Sequence, residues 1–152
     1  MTPQPSALDE PLEGLYEVDA ERFFAAFQRA LADRAYGSFL TSYELADFQY
    51  MRCFLAEDGR VGGAIKTSSA HREAVSLFNM GGTRGAGLRM LRHLTSQGAD
   101  RLDCIGDVLC RLYERAGYQT VETMPWDDRF RPGGWQYDLY GRPDIYVMEY
   151  QP

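Results

Sequence analysis

Histidine occurs only twice, at His71 and His93, and cysteine three times, at Cys53, Cys104 and Cys110. The histidines fall in an expected turn and an expected helix and share no ligand spacing with the cysteines, so no metal site is expected. The cysteines form no paired framework. They sit in apolar patterns and read as buried, reduced thiols. There is no Gly-x-Ser-x-Gly elbow and no nucleophile pattern around the cysteines. No apolar run is long enough to span a bilayer, and no basic-then-apolar signal peptide opens the chain, which makes a cytoplasmic location the expectation. Basic charge is scarce as well: 16 Lys and Arg stand against 22 Asp and Glu, a formal net charge of −6. A general nucleic-acid or anionic-membrane binder needs a basic surface, so neither partner is expected, while an amine-bearing partner is compatible. No internal repeat is present.

The 152 residues are 45% hydrophobic and 13% aromatic, enough for one globular domain with a substantial core. Met1–Gly14, with three prolines among mixed polar residues, reads as a mobile lead-in, and residues 15–152 as a single domain. From Asp19, a candidate N-cap, Phe23, Phe24, Phe27, Ala30 and Leu31 recur on one helical face, and Gly37 ends that region. Thr41 and Glu44 have capping-box spacing, with Leu40 and Leu45 as the staple, which predicts a short helix over Ser42–Phe48. The apolar runs Tyr50–Ala56 and Val61–Thr67 flank Asp58-Gly59, the strongest hairpin signal in the chain. Gly62 and Gly63 weaken the second strand or mark a bulge. A third strand is expected over Ala74–Asn79 and a helix from the following glycines to about Gln97, with Leu88, Leu91 and Leu94 inward and Gly98 as its stop. Arg101–Ile105 reads as a strand, followed by a helix capped by Asp107 and ended by Gly117, whose inner face is Leu109, Leu112, Tyr113 and Ala116. Strands over Tyr118–Thr123 and Asp144–Glu149 complete the order. The alternation means a mixed α/β (α+β) domain with helices covering a sheet.

The stretch "GGTRGAGLRML", Gly81–Leu91, raises the question of a phosphate cradle, because glycines let amides approach an anion and a helix start presents unpaired N–H groups. It is not a nucleotide P-loop: Gly82 and Gly87 have the spacing, but Leu88 and Arg89 replace the lysine and the hydroxyl. It is not the dinucleotide fingerprint either, since Met90 stands where the third glycine belongs.

A third motif fits. Arg84-Gly85-Ala86-Gly87-Leu88 resembles the Gln/Arg-x-x-Gly-x-Gly/Ala loop of the GNAT superfamily of acyl-CoA-dependent N-acetyltransferases, with Arg89 where the family keeps a small residue. "LYERAGY", Leu112–Tyr118, is similar to that family's Leu-Tyr-x-x-x-Gly-Phe helix end, with Tyr113 and Gly117 in register. The likeness runs from about Glu73 to Met124. Together with "PWDDRF", "PGGW" and "YGRPDIYVM", it also resembles small GNAT-like proteins of phages and bacteria. The resemblance implies a mostly antiparallel central sheet flanked by helices, and acetyl-CoA or another acyl-CoA as co-substrate. It places the pyrophosphate on Arg84, Gly85, Ala86, Gly87, Leu88 and Arg89, and the pantetheine along the backbone of Leu77, Phe78 and Asn79. Tyr113 then serves as proton donor to the leaving sulfur, and Asn79 orients acceptor or water. No general base stands out: Glu73, Asp103 and Glu122 are plausible carboxylates near strand ends, each read first as a solvated surface charge, and a GNAT-like enzyme can also use a water chain.

The long stretch "PWDDRFRPGGWQYDLYGRPD" sets Trp126, Trp135 and Tyr137 among Asp127 and Asp128, a composition suited to an acceptor or partner carrying a cation. Equally, it reads as an aromatic plug whose acids are neutralised by Arg129, Arg131 and Arg142. In either case it is expected at the sheet end opposite the glycine loop. The function implied is N-acyl transfer, most simply acetyl transfer, to an amine-bearing small molecule or protein. The alternatives are a GNAT-fold binding or inhibitory protein and a related scaffold reused for another group transfer.

Overall fold

The computed structural model describes residues 11–33, 39–68, 70–133 and 135–152. Residues 1–10 of the expected lead-in, Gly37 and Gly134 lie outside them. Seven strands form one sheet in the order β1-β2-β3-β4-β5-β7-β6: β1 Tyr16–Val18, β2 Met51–Ala56, β3 Val61–Thr67, β4 Arg72–Asn79, β5 Arg101–Ile105, β6 Tyr118–Met124 and β7 Ile145–Tyr150. All neighbours are antiparallel except β4 and β5. This is the mixed, mostly antiparallel sheet expected from the sequence.

Helices cover both faces. On one, α1 (Ala20–Ala32) and α2 (Leu45–Phe48) bury Phe23, Phe27, Phe48, Leu55 and Phe78. On the other, α3 (Ala86–Ser96) and α4 (Asp107–Glu114) bury Leu88, Leu91, Leu94, Leu102, Tyr118 and Met148. The carboxylate of Asp19 accepts from the amide of Arg22 at 2.8 Å, capping α1 as expected. Cys53, Cys104 and Cys110 are buried thiols. Leu12, assigned from sequence to the lead-in, packs into the core beside α3, and the carbonyl of Glu13 accepts from the amide of Glu57 at 2.9 Å.

Three local expectations shift. The α2 capping box is made by Glu44 and Asp47 rather than Thr41 and Glu44, so the helix starts three residues late, at Leu45. Acidic side chains at both box positions reach the backbone amides as well as a hydroxyl does. Asp107 is the first residue of α4 rather than its cap: Gly106, at φ +88°, takes the cap position and Asp107 pairs with Arg111 one turn on. Short pieces at β1, at a 3-10 turn (Asp128–Phe130) and at α5 (Tyr137–Tyr140) carry too few residues to show a period.

Two departures from regular pairing position the site. Gly62 pairs with Phe78 but Ala64 pairs with Val75, so β4 carries one residue more than β3 across the interval. The extra residue is Ser76, at φ +54°. It reverses the strand's alternation: Ala74 and Leu77 both face α3, while Val75 and Phe78 both face α1. The glycine signal in β3 therefore marks a bulge, with the surplus residue on its partner. The second departure is that β4 and β5 pair only through Glu73 and Arg101. Beyond that point the strands separate.

Strand direction then settles where the aromatic segment lies. β4, β5 and β6 run the same way, so Asn79, Ile105 and Met124 all end at one edge of the sheet. Residues 125–144 leave from that edge, on the side of the glycine loop and not opposite it. The sequence expectation is reversed because it did not include the pairing of β6 with β7 as the outermost strand.

Candidate active site

β4 hands over to α3 through the glycine loop, and that loop is held from behind. Asn79 accepts from the amide of Gly82 at 2.8 Å and donates to the carbonyl of Thr83 at 3.1 Å. The amide of Met80 donates to the carbonyl of Arg60 at 2.6 Å, tying the loop to the β2–β3 hairpin. From that hairpin the carboxylate of Glu57 accepts from the amide of Thr83 at 3.0 Å and from its hydroxyl. Glu57 is only 8% exposed. Its pKa is lowered, chiefly by the Thr83 hydroxyl, with the Thr83 amide and the charges of Arg89 and Arg60 contributing in the same sense. A Cβ at Gly82 would sit 2.6–2.7 Å from Val61, Asn79 and Glu57, so glycine is required there by crowding.

The other side of the loop is open. A Cβ at Gly81 or Gly85 would meet nothing within 4 Å, and one at Gly87 only Asn79 Cβ at 3.8 Å. Gly85 is the N-cap of α3 at φ +83° and carries no side-chain cap. The amides of Gly87 and Leu88 have no intrahelical partner, as at any helix start. Arg84 is exposed beside them, and the side chains of Ala86 and Leu88 are buried in the core, leaving only their backbone to the loop. Arg89, the departure from the family pattern, lies close enough to Glu57 to help hold that carboxylate ionised.

Between the separated strands lies a slot of about 80 Å³. Ala74–Leu77 of β4 and Leu102–Cys104 of β5 form its walls, with Leu109 and Tyr113 of α4 on one face of the sheet and Leu40, Thr41 and Tyr43 on the other. Residues from both faces of the sheet therefore line it. Ser76 lines it, and the Ser76 hydroxyl is buried with no hydrogen-bond partner among the described residues. An orphaned buried polar atom is costly, and a ligand that supplies a donor or acceptor there removes the penalty. On the α4 side the slot opens beside a hollow of about 480 Å³, bounded by Leu77, Val108, Tyr113, Leu139, Tyr140 and Pro143. Tyr113 thus touches both spaces.

The opposite face offers a hollow of about 530 Å³ walled by Phe39, Ile105, Trp126 and Phe130, with Asp103 at its inner end. Beside it, Glu73, Asp103 and Glu122 line a single recess with Arg101. The three carboxylates singled out separately in the sequence are brought together, and none has an ion-pair partner within 4.0 Å among the described residues. Burial, reinforced by the charges of Asp103, Glu73 and Asp47, pushes the Tyr43 hydroxyl up to about 12. Burial also pushes the Cys104 thiol up to about 12, so Cys104 is no thiolate nucleophile at neutral pH.

The aromatic segment neutralises its own acids. Asp127 is paired with Arg129 at 2.7 Å; Asp128 accepts from Trp126 Nε1 at 2.7 Å, Tyr137 Oη at 2.8 Å and Arg142 Nε at 3.2 Å. Trp135 is buried, stacks on Trp126 at 4.8 Å and donates to the carbonyl of Gly141 at 2.9 Å. Of the five residues nominated there, Trp126 and Asp127 reach the large hollow. Asp128 and Tyr137 hold the segment's shape. Sequence reasoning missed Glu57 and Ser76. The Asp58-Gly59 turn marked the hairpin, yet nothing local signals that Glu57 reaches a loop 26 residues on.

No family model matches the sequence, and no curated protein does. Solved structures do match in fold. An IAA acetyltransferase from Bacillus cereus ATCC 14579 superposes with a TM-score of 0.61 at 12% identity, covering 91% of this chain and 98% of its own. An N-acetylglutamate synthase from Neisseria gonorrhoeae, solved with coenzyme A and L-arginine, superposes with a TM-score of 0.55 at 17% identity; 94% of this chain is covered, but only 34% of the synthase. The fold is GNAT-like, shared with these two structures.

Proposed function

We propose that the protein is an acyl-CoA-dependent N-acyltransferase acting on an amine. The observation that carries this reading is the slot between β4 and β5, which is lined from both faces of the sheet and holds the Ser76 hydroxyl, unpartnered among the described residues. The residues suit the co-substrate. Amides at Gly85, Gly87 and Leu88 and the guanidinium of Arg84 take a pyrophosphate, the unpaired edge of β4 around Leu77–Asn79 takes an amide-bearing pantetheine arm as an added strand, and Ser76 gains a partner. The bind-only alternative drew on the bulk of Arg89, and that side chain's attraction to Glu57 weakens the objection.

Roles for the side chains follow from which face each occupies. Asp103 lines both the slot and the acceptor-side hollow, and takes a proton from the attacking amine. Glu73 and Glu122 add negative potential that draws a cationic amine to the recess. The amine nitrogen bonds to the acyl carbon as the carbon–sulfur bond breaks, and Tyr113 delivers a proton to the departing sulfur. Asn79, with both ends of its amide on the loop, positions the loop rather than the acceptor. The test is thiol release from acetyl-CoA with a panel of primary amines. Amine-dependent release is expected. A folded protein that releases no thiol with any amine would contradict acyl transfer.

A further inference from the structure

A buried carboxylate beside a loop read as a pyrophosphate cradle is electrostatically unexpected, because it repels the anion that the loop receives. Glu57 nevertheless sits there with its side chain 8% exposed and its backbone at φ +51°, a conformation that non-glycine residues seldom adopt. Every part of the residue is engaged. Its amide donates to Glu13, its carbonyl accepts from Arg60 Nε at 2.9 Å, and its carboxylate takes both donors of Thr83. The turn amide of Arg60 also donates to the Glu57 carbonyl at 3.2 Å. Thr83 immediately precedes Arg84, and its carbonyl accepts from the amide of Ala86 at 3.0 Å, the bond that begins the turn into α3. Fixing Thr83 from the rear therefore fixes the direction of the amides that follow.

We propose that Glu57 is a positioning residue for the co-substrate: its carboxylate latches Thr83 to the β2–β3 hairpin and so preorganises the amides of Gly85, Gly87 and Leu88 for a pyrophosphate. This rests on the reading of the loop as the acyl-CoA site. Preorganisation outweighs repulsion because the latch removes a loop-ordering cost at every binding event, while Arg60 and Arg89 offset the carboxylate's charge. The latch lies between elements far apart in sequence, so the hairpin and the loop act as one unit.

The variants Glu57→Gln and Glu57→Ala separate the two effects. Glutamine keeps an oxygen to accept from Thr83 and removes the charge, whereas alanine removes both. Acetyl-CoA binding is read by calorimetry, and the same proteins are assayed with acetyl-pantetheine, which lacks the pyrophosphate. Losing a charge-assisted hydrogen bond predicts about tenfold or greater weakening of acetyl-CoA binding in Glu57→Ala, with Glu57→Gln recovering part of it. KM for acetyl-CoA rises, while kcat at saturation and turnover of acetyl-pantetheine hold. Equal affinity in Glu57→Ala and the parent, or tighter binding in both variants, overturns the latch, because repulsion then dominates. An equal loss with acetyl-pantetheine also overturns it, since the effect is then general. Amide hydrogen exchange at residues 83–88 needs no ligand: the latch predicts faster exchange in Glu57→Ala, and unchanged exchange contradicts it. Should the parent fail to bind acetyl-CoA, the acyl-CoA reading of the loop falls, and exchange alone decides whether Glu57 orders it.

Discussion

The glycine loop and the aromatic segment leave the same edge of the sheet and differ in where their partners come from. The loop is braced by Glu57 from 26 residues away and keeps its outer side open. The segment satisfies Asp127 from two residues away, and Asp128 from residues two, nine and fourteen positions away. Support from a distant element leaves a loop's own polar groups available to a ligand. Support from within consumes them. A run of rings and carboxylates is therefore weaker evidence of recognition than a short glycine loop backed by an unrelated hairpin.

The largest effect expected is from Gly82→Ala, which forces a methyl into Val61, Asn79 and Glu57 at 2.6–2.7 Å. Overpacking of this kind destabilises by about 1–3 kcal/mol. A lower Tm together with lost acetyl-CoA binding is expected, and a parent-like Tm would show that the loop's rear is less tightly held than described. Next, Tyr113→Phe keeps the ring against the slot and removes one hydroxyl. If that hydroxyl protonates sulfur, kcat falls by about a hundredfold while acetyl-CoA affinity holds. Unchanged turnover removes Tyr113 from the mechanism. Asp103→Asn is expected to lower kcat by removing the proton acceptor, whereas unchanged turnover points to another base.

Smaller effects belong to the segment. Paired with Arg129, the Asp127 carboxyl is held below the usual carboxylate range, and Tyr137, Trp126 and Arg142 hold Asp128 there too. Depressed folded-state values mean that their contribution is present above the ordinary carboxylate range and is lost as pH falls through the lowered values. Tryptophan fluorescence from Trp126 and Trp135 should therefore change in acid, and Asp128→Asn should move that transition. Both carboxylates reach solvent, so only a slight change in Tm is expected. A loss of acceptor binding in Asp127→Asn with fluorescence unaltered would instead make that acid part of recognition.

How much of this was legible in the sequence depends on the range of the interaction. Asp58-Gly59, the α1 stripe of Phe23, Phe27 and Ala30, and Gly98 after α3 are local signals, and the corresponding elements form where they indicate. The loop and Tyr113 were recognisable because each lies in a short motif. The bulge at Ser76 depends on a register three residues long on one strand and two on the other, which no single strand reveals. Glu57 and Thr83, and the recess of Glu73, Asp103 and Glu122, exist only once strands from different parts of the chain are paired. The end of the sheet occupied by residues 125–144 was misjudged for the same reason: it follows from the order β5-β7-β6, a tertiary fact.

The central claim, that the open side of the glycine loop receives the pyrophosphate of an acyl-CoA, is tested most directly by titrating acetyl-CoA into the parent and Gly87→Asp while following Tm. A Cβ at Gly87 meets only Asn79 Cβ at 3.8 Å, and an aspartate in the first turn of α3 favours the helix, so the variant folds as the parent does. Its carboxylate nonetheless adds a negative charge at the helix start proposed to receive the pyrophosphate. Binding to the folded state alone raises stability by RT ln(1 + [L]/Kd). Tm is expected to climb with acetyl-CoA in the parent and stay flat in Gly87→Asp; a flat parent, or two proteins climbing together, would contradict the claim.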